Sequence, residues 1–306
     1  MKIDDIVYGE HEFKEQVIID LINSKTVQRL NGISQFGLPD ELYHKKVFTR
    51  FEHDVGVAIL VAKLNGSIEE QIAALLHDVS HTAFSHLTDW VWGNPEKEDF
   101  QDNMYHKFLY SEEISEILQK NGFNPKEFER LEDFSILEQE IPNLCADRVD
   151  YCLREIANDG EKERANQLFK DLTVFNGIIH FKTENMALDF ANFFANYQKN
   201  HWAGTNAKTR YGIFSQILKE AMKLGILTQQ DFFDLDEKTI IKKLERNGNE
   251  FIVKSINNLR NHSFEVIHVL KKKRYVDPLI LKNGKSVKLS EINPEYSKIL
   301  AEIINA

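Results

Sequence analysis

Hydrophobic positions recur at helical spacing along most of the chain. In residues 54–64, Val57, Leu60, Val61 and Leu64 fall at the i, i+3, i+4 and i+7 positions of one helix face. Ser67-Ile68-Glu69-Glu70 has the form of a capping box, in which a serine oxygen and a glutamate three residues on satisfy each other's amides. The helix it opens is expected to run through Ala73-Ala74-Leu75-Leu76 into His77-Asp78. Residues 111–121 and 137–157 read as two more helices, with Asn121-Gly122 and Asn158-Asp159-Gly160 as stops. Helical pattern resumes from about 186 to 245. Two segments differ. Residues 172–184 are rich in β-branched and aromatic side chains around Asn176-Gly177, a strong two-residue hairpin signal, and residues 279–289 repeat the pattern around Asn283-Gly284. The fold class expected is mainly α, with small β-hairpins near 172–184 and 278–290.

Length and charge narrow the picture. A chain of 306 residues is enough for one large domain or two fused ones. The division expected is a catalytic core over 1–165 and a helical extension with small β elements over 166–306, packed on it as one unit. The net charge of −10 (38 basic against 48 acidic side chains) argues against coating by nucleic acid, and leaves room for a small anion held by a few local cations. Two cysteines, Cys145 and Cys152, supply no disulfide framework, which points to a reducing, cytoplasmic setting. Neither a signal-like leader nor a run of ~20 apolar residues is found, so no membrane partner is expected.

The chemistry-bearing pattern is a crowd of histidines. Five of the eleven fall between residues 53 and 106: His53, His77, His81, His86 and His106. On a helix, adjacent residues point about 100° apart, so His77 and Asp78 can reach one ion, and His81 lies one turn on. His53 sits on the preceding helix, and a turn between the two brings it alongside. A lone His-Asp pair is most often structural, and core histidines usually bond to carbonyls. The joint pattern is what points to a site. Zinc metalloproteases place Glu directly after the first His of a His-x-x-x-His pair, and here Asp78 stands there. A mixed imidazole and carboxylate set suits Mn²⁺, Fe²⁺, Zn²⁺ or Mg²⁺ without choosing among them.

At these residues the sequence resembles the HD-domain metal-dependent phosphohydrolases, in particular the deoxynucleoside triphosphate triphosphohydrolases. Four stretches carry the likeness: residues 27–37, Thr49-Arg50-Phe51-Glu52-His53 through Val57, His77-Asp78-Val79-Ser80-His81 through His86, and Cys145-Ala146-Asp147-Arg148-Val149-Asp150-Tyr151. The resemblance implies an HD-domain helical bundle around one divalent ion, with His53, His77, Asp78 and Asp147 as ligands and a further Mg²⁺ accompanying the nucleotide allowed. It implies phosphate contacts or proton transfer for His81, His86 and His106, with Asp89 orienting a histidine. Arg50 and Arg148 would bind phosphate, Tyr151 would pack on the sugar, and Gln35 and Glu155 would read the 3′-hydroxyl. From the residues alone, Arg50 reads equally as a salt bridge, and Gln35 and Tyr151 as a capped loop and a half-buried ring. Ser80 and Thr82 replace the glycines of the resembling enzymes. Residues 196–212, where those enzymes place Arg and Tyr, carry Tyr197, Trp202, Asn206, Lys208, Arg210 and Tyr211 in no clean register.

The activity so implied is hydrolysis of deoxynucleoside triphosphates to deoxynucleoside and triphosphate by a homo-oligomer. Two alternatives stay open: a nucleoside monophosphatase or phosphodiesterase on another nucleotide, and a nucleotide-binding regulatory protein. The run Lys271-Lys272-Lys273-Arg274 reads as a solvated helix end, the aromatic group Phe190, Phe193, Phe194 and Tyr197 as core packing, and the cysteines as buried helix positions.

Overall fold

Thr49 opens the helix on which the molecule is organised. In the computed structural model, which describes residues 1–266 and 274–305, Thr49 Oγ1 accepts from the Glu52 amide at 3.2 Å while the Glu52 carboxylate accepts from the Thr49 amide at 2.7 Å. This reciprocal box starts helix α1 (Arg50–Lys63) four residues before the hydrophobic pattern does. Every residue of α1 from His53 to Val61 is buried, so the helix is enclosed on all sides rather than along one face. Helix α2 (Ile68–Leu76) returns along it. At its start only half of the expected box forms. Ser67 accepts from the Glu70 amide, but the Glu70 carboxylate turns away to accept from the Ile136 amide at 2.8 Å. The helix stops at Leu76, so His77 is its C-cap and Asp78 lies beyond it.

Helix α3 (Phe100–Leu109) packs on the short helical turn Ser85–Trp90, and α4 (Ala146–Ile156) packs across α1. A helix from 137 is not formed. Pro142 has no amide to donate, and Arg148 donates to the carbonyls of Gln139 (2.6 Å) and Asn143 (3.3 Å), which a helix would have used internally. At the expected stop, Gly160 takes a φ of 95° and the chain bends before resuming as a helix at Lys162–Lys170.

Strands β1 (Lys2–Asp5) and β2 (Gly9–Glu12) form an N-terminal hairpin that the mostly polar sequence of residues 2–12 did not announce. The two expected hairpins are present as β3 (Leu172–Phe175) with β4 (Ile178–Phe181), and β5 (Leu279–Lys282) with β6 (Lys285–Lys288). Both turn on an Asn-Gly pair with positive φ at each residue. They join through parallel pairing of Phe181 with Ile280 into one sheet of order β3-β4-β5-β6.

Helices α5 (Glu184–Tyr197), α6 (Thr205–Lys223) and α7 (Glu237–Asn247) come after the first of these hairpins. Phe190, Phe194 and Tyr197 are buried in the core, as their spacing indicates, and both cysteines are buried and unpaired with each other. The loops around the histidines are held from this later part of the chain: the Ala83 amide donates to Phe232 O, and the Glu237 carboxylate accepts from the amides of Ser34 (2.9 Å) and Phe84 (3.0 Å). No described helix is long and apolar enough to cross a membrane.

Candidate metal centre and cavity

Four side chains from three separate elements converge. His53 comes from the first turn of α1, His77 and Asp78 from the C-cap of α2 and the residue after it, and Asp147 from the first turn of α4. His53 Nε2 lies 3.0 Å from Asp147 Oδ1 and 3.8 Å from Asp78 Oδ2, and His77 Nε2 lies 3.7 Å from each of those oxygens. Ligands about 2.1 Å from one ion stand roughly 3–3.5 Å apart, so small adjustments complete a coordination shell.

The donor set fits a cation. His77 Nδ1 donates to the Ala74 carbonyl at 2.7 Å, which leaves the Nε2 lone pair facing the cluster, buried and without a hydrogen-bond partner among the described residues. His53 Nδ1 donates to Asp150 Oδ2 at 2.8 Å and fixes its ring the same way. Burial by itself would lower His53, but the carboxylates of Asp147 and Asp150 outweigh it and lift the ring to about 9. Burial likewise opposes the charge on Asp147, yet the two imidazoles hold that carboxyl well below the usual range. Positive charge is thus drawn to the point where the four groups meet. Asp54 is also fully buried beside His77, 4.0 Å from Nδ1, and burial pushes its carboxyl far up.

A buried chain of charges backs the cluster. Asp150 is gripped by Arg154 at 2.9 and 3.0 Å, and Arg154 reaches Asp5 of β1 at 2.9 Å. Asp150 stands three residues after Asp147 and so shares its helix face, a spacing that could have flagged it. Arg29, in turn, donates to the carbonyls of Val79 and His81, both at 2.7 Å, and so shapes the loop after the His-Asp pair.

Of the cluster, His77, Asp78 and Asp147 line a cavity of about 480 Å³. Gln35, Arg50, His81, His86, His106, Arg148 and Tyr151 all line it. Arg50 is ion-paired with Asp78 and donates to Ser85 Oγ at 3.1 Å. His81 Nε2 is 3.4 Å from Asp78 Oδ1, and burial together with Arg50 lowers its ring to about 4. His86 Nδ1 stands 3.6 Å from Asp89 Oδ2, and Asp89 Oδ1 accepts from the Phe100 amide at 3.0 Å. Burial lifts Asp89 to about 7. Arg148 pairs with Glu138 at 3.1 Å, and His106 sits on α3 at the exposed side.

Glu155 is placed differently. It is fully buried, bound to Lys45 and 2.8 Å from His201 Nδ1, and is not among the residues facing the cavity. Within 196–212 the structure supplies the register that the sequence lacked. Trp202 and Tyr211 line the cavity, Tyr211 donating to Phe36 O at 2.6 Å, while Arg210 turns away to His262 at 3.0 Å. Arg274 also lines it, bonded to Glu98 at 2.6 Å, which corrects its reading as part of a solvated helix end. The rest of that basic run, Lys271–Lys273, lies outside the described residues. No sequence signal tied Glu98 to Arg274, since 176 residues separate them.

The chain is similar in sequence to known proteins. A sequence profile described as HD domain matches residues 50–175. An uncharacterised protein of Bacillus subtilis, YdhJ, is 34% identical over 98% of this chain and 94% of its own length. The metal-dependent phosphohydrolase cns2 of Cordyceps militaris is 30% identical over 81% of this chain and 74% of its own. Mouse SAMHD1, a deoxynucleoside triphosphate triphosphohydrolase, is 28% identical over 46% of this chain and 24% of its own.

Proposed function

The chain belongs to the HD-domain metal-dependent phosphohydrolases, and from that premise we propose that it hydrolyses nucleotides, with deoxynucleoside triphosphates cleaved to deoxynucleoside and triphosphate. One observation carries the reading: a single cavity joins the His/Asp cluster and arginines to a wall of aromatic rings, Phe36, Tyr43, Tyr151, Trp202 and Tyr211. Phosphate suits the first half and a nucleoside the second. Two further polar atoms, Gln35 Oε1 and Tyr151 OH, are buried without hydrogen-bond partners among the described residues. Such atoms are costly unless a ligand satisfies them, and a sugar hydroxyl can. The cavity volume is also within the roughly 300–1,000 Å³ common for ligand sites.

His53, His77, Asp78 and Asp147 would hold the divalent ion, which when bound supplies Lewis acidity at a phosphoryl oxygen and lowers the pKa of water. Arg50 and Arg148 would stabilise charge developing on the phosphoryl oxygens. His86, held by Asp89 through Nδ1, would donate the proton that the leaving 5′-oxygen needs, and His81 would contact the phosphoryl group. Water adds to the α-phosphorus, the bond from phosphorus to the 5′-oxygen breaks, and deoxynucleoside and triphosphate leave.

A second reading, a nucleoside monophosphatase, draws on the charge of the cavity. Glu98, Asp102, Glu129, Glu132 and Glu138 line it besides the cluster carboxylates, and each of its arginines already has a carboxylate partner. That field disfavours a polyanion relative to a single phosphate. Product analysis on a panel of dNTPs and nucleoside monophosphates with Mn²⁺, Mg²⁺ or Fe²⁺ separates the two. Triphosphate release supports the first, and orthophosphate from monophosphates alone replaces it with the second.

A further inference from the structure

Arg274 enters the cavity from the C-terminal segment, outside the matched domain and far along the chain from every other basic residue of the site. Its partner is unusual. Glu98 is 2% exposed and adopts a φ of 51°, a left-handed backbone conformation that a β-carbon disfavours. Strain of that kind persists only where surrounding contacts enforce it, and it gathers at ligand-binding positions. Glu98 stands two residues before α3 and holds the guanidinium through Oε2 at 2.6 Å, while Asp147 and Tyr151 are near enough to act on its charge. Among the described residues, this bond engages one of the five N–H donors that a guanidinium carries.

We propose that Arg274 is a substrate-binding residue that grips the phosphate part of the nucleotide, with Glu98 as the residue that positions it. This rests on the reading that the cavity takes a nucleotide. The geometry supports it because Arg274 faces the same cavity as Arg50 and Arg148 but is anchored on a different element, α3 and its lead-in, so phosphate groups would be held from two sides. The planar fork suits phosphate oxygens, and Glu98 restricts the rotamers of a long side chain before the ligand arrives. The Glu98 carboxylate also lowers the local field, so the pair would discriminate by geometry more than by raw charge.

The test is direct binding of orthophosphate, pyrophosphate and tripolyphosphate to the Mn²⁺-loaded protein by titration calorimetry, alongside KM for the best nucleotide substrate. Arg274→Gln is expected to weaken the tightest of the three anions by about 10- to 100-fold, the loss of one hydrogen-bonded charge. Arg274→Lys should recover part of that, and Glu98→Gln should keep binding within a few-fold, since an acceptor remains and a negative charge is gone. A merely structural ion pair predicts otherwise: Arg274→Gln and Glu98→Gln would both lower the melting temperature and leave anion affinity within twofold of wild type. That result overturns the proposal. If no nucleotide is hydrolysed yet Arg274→Gln loses anion affinity, the proposed activity falls and the anion site stands. If dNTPs are hydrolysed and KM ignores Arg274, the reverse holds.

Discussion

A β-carbon on Gly56 would stand 1.7 Å from Nη2 of Arg154. The glycine in α1 is therefore the gap through which the buried guanidinium passes to reach Asp150 and Asp5. Its role is steric, since its backbone is ordinary helix. Gly56→Ala must displace Arg154 and with it the carboxylate behind His53. Overpacking of this kind costs about 1–3 kcal/mol. The variant should melt well below wild type, and its metal content after purification should fall with the same substitution. An unchanged melting curve would show that Arg154 has another route.

Asp150 orients His53 without pointing into the cluster. Asp150→Asn keeps the shape but weakens the acceptor for Nδ1–H. Loss of such an outer partner typically lowers metal affinity about 10–100-fold. A Mn²⁺ titration of the variant measures this. Asp150→Ala is a harsher change, because it strips the buried Arg154 of its main partner, and breaking a buried pair costs about 3–5 kcal/mol.

Removal of the ion should abolish hydrolysis. Prolonged chelation is expected to bring turnover to background, with recovery on adding one divalent metal back. His77→Ala and Asp147→Ala should each bind substoichiometric metal and stay inactive even at millimolar Mn²⁺, as judged by elemental analysis and product release. Retained turnover in the chelated protein would place the chemistry elsewhere.

Glu237 gives a stability signature in pH. It is fully buried, and burial lifts its carboxyl from the usual 4.5 to about 7, although the Ser34 and Phe84 amides and Arg50 pull the other way. Between those two values the folded protein holds a proton that the unfolded chain has released. Stability therefore falls as pH rises from about 4.5 to about 7, by up to about 3 kcal/mol from this group. Glu237→Gln keeps one oxygen for the two amides and cannot ionise. Denaturant midpoints from pH 5 to 8 should converge at the acidic end and favour the variant at the basic end.

Local pattern and motif spacing determined much of this protein. Helical periodicity and two Asn-Gly pairs gave a mainly α chain with hairpins at the positions found. His53, His77, Asp78 and Asp147 could be named together because the resemblance rests on residue types at set spacings, and those residues do converge. Other features lay outside any window of sequence. The start of α1 depended on a Thr49–Glu52 exchange, and the Ser67 box lost its second half to Ile136, a residue 66 positions from Glu70. Trp202 and Tyr211 face the cavity while Arg210 does not, and Glu155 is taken by Lys45 and His201. Glu98 and Arg274 meet only because the C-terminal segment folds back over the start of α3. Periodicity reports what each residue needs from its near neighbours. Which charge pairs with which across 100 or more residues is settled by packing, because a buried ion must take whichever partner the closed chain brings within reach.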